Sequence, residues 1–200
     1  MCPKTKTIHA KEEAPTLTFS KPKEWETWLK KNQGLTCGIW LKLYKKGSGI
    51  ASVNYAEALD VALCYGWIDG QKKSFDELSW LQKFTPRRAR SLWSKRNIEH
   101  VARLEKSGLM TDFGRKEVEA AKADGRWEQA YDSQSTMELP AEFLKELEKH
   151  KKAKEFFATL SKANKFAIVW RIQTAKKIET KEKRIKTLVE MLIKGEKIHS

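Results

Sequence analysis

Segments that alternate apolar and polar side chains with a period of two end at Phe84, and every apolar stripe beyond it has the 3.6-residue period of a helix. This switch constrains the fold more than any other feature of the 200-residue chain. Leu17-Thr-Phe19 reads as a short strand. In Cys37–Tyr44, Ile39, Leu41 and Leu43 share one face, and Trp40, Lys42 and Tyr44 share the other. Lys72–Phe75 and Leu78–Phe84, joined across Asp76-Glu77, read as a hairpin. Between these strands lie two helices. Ser20 caps the first, which has Pro22 in its opening turn and buries Trp25, Trp28 and Leu29. Asn54 with Glu57 three residues on is a capping box, and it opens a second helix striped by Leu59, Ala62 and Leu63.

After Phe84 the reading is helical. Ser94 caps a helix with Ile98, Val101 and Leu104 that stops at Gly108, and Thr111 or Asp112 caps the next, which ends at Asp124-Gly125. Four further amphipathic helices follow: Pro140–His150, Lys151–Leu160, one capped by Ser161 and one capped by Thr180. The predicted fold class is α+β: a small, mostly antiparallel sheet flanked by helices, followed by an α-helical C-terminal bundle. Residues 1–16 are polar and read as a mobile tail. The α+β region spans 17–135 and the helical region 136–195, with the boundary in the polar linker Asp132–Glu138.

The net charge of +14 points to an anionic partner, whether a small molecule, nucleic acid or a lipid surface. Its distribution is more informative. Arg87, Arg88, Arg90, Lys95 and Arg96 fall inside Thr85–Asn97 with no acidic residue among them. The remainder of 17–135 is close to neutral, whereas the surplus in 136–200 is spread along helices. Three cysteines, Cys2, Cys37 and Cys64, are too few and too scattered for a disulfide framework, and the four histidines show no metal-ligand spacing. No metal or cofactor is expected. No run reaches the ~20 apolar residues of a membrane helix, and no signal peptide is visible, so a cytoplasmic location is expected.

Three constellations can carry chemistry. In the first, Arg87, Arg88 and Arg90 follow Pro86 and lead to Trp93, Ser94 and Asn97; guanidinium groups fork onto phosphate or carboxylate, and a helix start at Ser94 adds backbone N–H groups. The plainer reading pairs those arginines with Asp69, Asp76 or Glu77. The second is Cys64-Tyr-Gly-Trp-Ile-Asp-Gly70. Trp67 and Trp93 would wall a pocket, and Asp69 would orient an arginine or act as a base. Cys64 reads as a core residue before it reads as a nucleophile. In the third, Arg126 and Trp127 either close over the first two or end a helix with an aromatic anchor. Lys176–Arg184 reads as solvated helix surface. The leading expectation is a pocket for an anion or small metabolite. The alternatives are nucleic-acid binding by segment 85–97 and an enzyme using Asp69 or Cys64.

Four segments carry a family resemblance: Ala62-Leu-Cys-Tyr-Gly-Trp-Ile-Asp-Gly-Gln71, Phe84–Asn97, Gly125-Arg-Trp127 and Ala175-Lys-Lys-Ile-Glu-Thr-Lys-Glu-Lys-Arg-Ile185. In this order they resemble the YdeI/OmpD-associated, or bacteriocin-protection, family over roughly 17–193. The family pattern has Arg after Thr180 where this chain has Lys181, which weakens any bidentate role there. The resemblance implies a small bacterial-type cytoplasmic protein linked to envelope stress and tolerance of antimicrobial peptides. It brings no reaction, cofactor or catalytic residue.

Overall fold

The structure, a computed structural model, describes residues 13–132 and 137–199. Most of the expected tail, and positions 133–136 of the expected linker, lie outside the described residues. The fold is α+β, with one four-stranded sheet and eight helices among the described residues. It divides into two compact units. The first consists of 13–91 and 100–120, the second of 92–99 and 121–199.

In the first unit, β1 (Thr16–Leu17), β2 (Ile39–Tyr44), β3 (Trp67–Ser74) and β4 (Ser79–Pro86) form a sheet in the order β1-β2-β4-β3. The β1–β2 pair is parallel and the other two pairs are antiparallel. The alternation of β2 does what its pattern requires. Ile39, Leu41 and Leu43 are buried, while Trp40, Lys42 and Tyr44 lie on the opposite face. The buried face packs on α1 (Pro22–Lys31) and α2 (Tyr55–Cys64) through Trp25, Leu29, Leu59 and Ala62. The Asn54–Glu57 capping box is present, with both reciprocal bonds formed.

Several boundaries differ from expectation. The N-cap of α1 is Lys21, and the Ser20 amide instead donates to the Glu24 carboxylate at 2.8 Å. The first strand is Thr16–Leu17 rather than Leu17–Phe19, because its register is set by pairing with Trp40 and Leu41. β3 begins at Trp67, five residues before the expected Lys72. Trp67, Ile68 and Asp69 pair with Pro86, Thr85 and Phe84, and an irregularity between Asp69 and Lys72 resets the register.

The next two helices are α3 (Lys95–Lys106) and α4 (Asp112–Ala123). The Thr111 hydroxyl and amide both donate to the Cys64 carbonyl, so the start of α4 satisfies the end of α2. The opening turn of α3 belongs to the second unit. There the Tyr131 amide donates to Trp93 O at 3.0 Å, the Lys95 amide donates to Tyr131 O at 2.9 Å, and Trp93 packs on Trp127 with ring centroids 4.9 Å apart.

The rest of the second unit is α5 (Ala141–Glu148), α6 (Lys151–Thr159), α7 (Lys162–Gln173) and α8 (Ile178–Ile193). Phe143, Phe157, Ile168, Ile172, Leu188 and Leu192 form its core. α8 starts one turn earlier than expected, with Lys177 at the N-cap, so Thr180 is a helical residue and not a cap. Asn164 is buried and ties down the chain end. Its Oδ1 accepts from the amides of Ile198 and His199 at 3.1 and 2.9 Å, and its Nδ2 donates to His199 O at 3.2 Å.

Candidate functional site

In the first unit, Trp67 is 1% exposed, edge-on to Trp25 and Trp28, and so belongs to the core. Asp69 faces the same side, where its Oδ2 accepts the Tyr55 hydroxyl at 2.7 Å. The Arg87 side chain is buried and its amide donates to Gly66 O at 2.9 Å. Arg88 and Arg90 are exposed. A compact turn holds them, in which the Arg88 amide donates to Ser91 Oγ and the Ser91 amide to Arg88 O.

In the second unit, Trp93, Ser94 and Asn97 are buried. Ser94 caps α3 as expected, its Oγ accepting the Asn97 amide at 3.2 Å. That bond, with the one from Lys95 to Tyr131, engages two of the amides that an anion would use. Arg126 is 4% exposed, and its Nε donates to both Asp124 oxygens at 2.8 and 2.7 Å. The guanidinium holds the Asp124 carboxyl below its ordinary value. Trp127 is half-buried, with Trp93 on it and the Lys122 ammonium over its ring at 5.4 Å. Of the ten candidate residues, Arg88 and Arg90 are the exposed ones.

Cys64 is 6% exposed, and burial, followed by the Asp60 and Glu26 carboxylates, pushes its thiol up to about 11. At pH 8 roughly one molecule in a thousand would carry the thiolate, which makes a poor nucleophile and a good core residue. The folded thiol therefore holds its proton where the unfolded one, at an ordinary 9.0, has lost it. The stabilisation is complete below pH 9 and declines as pH rises toward 11, by about 1.4 kcal/mol per unit. Urea denaturation from pH 8 to 10.5 should show this decline, and Cys64→Ala should flatten it. An equal slope in both proteins would refute the assignment.

The sequence reading missed a cavity of about 830 Å³ in the second unit, between α7 and α8. Arg171, Lys183 and Arg184 stand around it with the hydroxyls of Thr174, Thr180 and Thr187. Leu92, Trp170, Met191 and Ile198 supply apolar wall. No carboxylate lines it, and none of the three cations is in an ion pair among the described residues. Arg184 donates to Arg171 O and to Thr174 Oγ1, which sets its charge at the C-terminal end of α7. A neighbouring cavity of about 840 Å³ differs in its charges. There Lys95 pairs with Asp132 at 2.7 Å and Lys181 with Glu142 at 2.8 Å, so its charge is internally balanced. Lys176–Arg184 looks like solvated surface in the sequence because the residues that complete the cavity come from α7 and the chain end.

Residues 136–195, which hold α5 to α8, match the family described as bacteriocin-protection, YdeI or OmpD-associated. These residues form a YdeI/OmpD-associated domain. Residues 17–117 match a second family, described as a domain of unknown function (DUF8412), and the chain, half of which this match covers, belongs to that family. The segments Ala62–Gln71 and Phe84–Asn97 thus fall in the DUF8412 match, while Ala175–Ile185 falls in the YdeI/OmpD-associated one. No curated protein and no solved structure matches the chain. Among the described residues no helix is long and apolar enough to cross a membrane, and no group of three or more His, Cys, Asp or Glu could hold a metal ion.

Proposed function

We propose that this YdeI/OmpD-associated protein is a cytoplasmic binding protein for an amphipathic anion, which its C-terminal domain receives between α7 and α8. The supporting observation is the uneven charge of the cavity. Three cations and three hydroxyls stand around it, no carboxylate lines it among the described residues, and the remaining wall is apolar. A volume of about 830 Å³ suits a ligand of metabolite size. The matching chemistry is a hydrophobic body ending in one carboxylate or phosphate. The head would meet Arg171, Lys183 and Arg184, and the tail would lie along Trp170 and Met191. Binding of such a molecule fits the envelope-stress and bacteriocin-tolerance role that the family name suggests. The anion site read from the sequence at Arg87, Arg88, Arg90, Ser94 and Asn97 has weaker support. Ser94 Oγ serves as a helix cap and Asn97 is buried, which leaves Arg88 and Arg90 exposed.

Calorimetric titration tests the reading with three probes that share a chain of about twelve carbons: a carboxylate, a phosphate monoester and an alcohol. The charged probes should bind at least about tenfold tighter than the alcohol, a difference of about 1.4 kcal/mol. Lys183 is exposed and makes no hydrogen bond among the described residues, so Lys183→Glu should fold normally. It should weaken the charged probes by about tenfold and leave the alcohol unchanged. Equal binding of alcohol and carboxylate, or no effect of Lys183→Glu, would refute it.

A further inference from the structure

The face of the sheet turned away from α1 and α2 has its own chemistry. The strand pleat puts Trp40, Lys42 and Tyr44 of β2 on it, with Lys83 opposite Trp40 and Lys73 of β3 opposite Leu81. The lysines lie over aromatic rings. Lys73 Nζ is 4.2 Å and Lys83 Nζ 5.3 Å from the Trp40 centroid, and Lys42 Nζ is 4.9 Å from that of Tyr44 and 4.5 Å from that of Phe75. Phe75 is 54% exposed. No strand residue on this face is acidic. Asp76, in the turn, engages Lys42 at 3.2 Å, while Lys73 and Lys83 have no ion-pair partner among the described residues. Burial and the neighbouring charge of Lys73 both hold the Lys83 ammonium below its ordinary value, although the Cys37 side chain opposes this. Two like charges converging on one indole form a place that an anion would relieve. Beyond the end of β4, Arg88 and Arg90 add exposed positive charge in the same unit.

We infer that this face binds single-stranded nucleic acid, with bases stacking on Trp40 and Tyr44 and phosphates meeting Lys42, Lys73 and Lys83. The inference is independent of the C-terminal cavity. Outward residues of one strand are about 7 Å apart, so aromatic and cationic groups alternate along and across the strands. Stacking platforms with interleaved cations accept single strands with little sequence preference, since every base has a flat face and every nucleotide a phosphate. A duplex keeps its bases stacked inside and cannot use the aromatic rings.

Fluorescence anisotropy of the full chain with labelled oligothymidylate and oligouridylate of about fifteen nucleotides tests this, alongside a duplex of equal length. Single strands should bind, with log K falling against log salt at a slope of about −2, as for roughly three phosphates. Lys73→Gln with Lys83→Gln should weaken binding by about tenfold and flatten the slope by about 1.4 units. Trp40→Leu should weaken it at least about fivefold. Lys30 and Lys31 are exposed at the end of α1, and their glutamine pair should leave affinity within about twofold. Absence of binding at low salt, equal binding of the duplex, or equal effects of the two lysine pairs would overturn the inference.

Discussion

Gly114→Ala lowers stability by about 2–4 kcal/mol, although the same replacement in an exposed helix interior raises it by about 1 kcal/mol. Gly114 sits in the first turn of α4, where a helix former would ordinarily be preferred. A Cβ built there lies 2.5 Å from Cys64 O and 2.7 Å from Leu63 O, closer than a Cβ approaches any atom. Both obstacles are backbone, so no side chain can swing away. Those carbonyls are at the C-terminal end of α2, and the Cys64 carbonyl already accepts from Thr111. Making room means pulling α4 off α2 and breaking the bonds that satisfy its end. Urea denaturation should show the midpoint falling by about 1–2 M for the alanine variant. An unchanged or higher midpoint would mean that the two helices do not approach this closely.

Gly114 illustrates what was not legible in the sequence, since its constraint comes from carbonyls of another helix. Features set by neighbours along the chain were readable: the alternation of β2, the Asn54–Glu57 box, the Ser94 and Ser161 caps and the stripes of α5 to α8. Features set by distant partners were not. Trp67-Ile-Asp69 has no alternating pattern and is a strand because Phe84–Pro86 pairs with it. The basic run illustrates the same limit for the site. Composition marks Arg87, Arg88 and Arg90 as equivalent, yet the first is buried and the other two are exposed, since the end of β4 is pinned through the Arg87 amide to Gly66. Arg126 stands beside its own partner, Asp124, a pairing that two residues of spacing permit but do not announce. The α7–α8 cavity combines positions from Leu92 to Ile198, a juxtaposition that no local pattern encodes. The outward face of the sheet could have been found, because Trp40, Lys42 and Tyr44 were already assigned to one side of β2. What was missing was the register that brings Lys73 and Lys83 beside them.

Trp25→Ala should be still more damaging, costing about 4 kcal/mol or more against a total stability of order 5–15 kcal/mol. Trp25 is fully buried, and Phe19, Trp28, Phe84 and Trp67 lie around it with centroids 5.4, 5.5, 5.8 and 6.1 Å away. Truncation opens a cavity lined by rigid rings, which collapse poorly around a void. It also removes the bond from Trp25 Nε1 to Ala58 O, 3.1 Å long, that joins α1 to α2. Trp25→Phe keeps an apolar ring but loses that bond and some volume, and should cost about 1–2 kcal/mol. Denaturation curves of the two variants separate the packing from the hydrogen bond, and a loss below about 1 kcal/mol for alanine would exclude Trp25 as the centre of this core. The pair also separates stability from binding. Trp25 packs on the covered face of the sheet and Trp40 lies on the other. A folded Trp25→Phe protein should therefore hold oligothymidylate within about twofold of the parent, where Trp40→Leu loses at least about fivefold. If Trp25→Phe lost affinity as steeply as Trp40→Leu, oligonucleotide binding would be tracking the integrity of the sheet and not contact with its outward face.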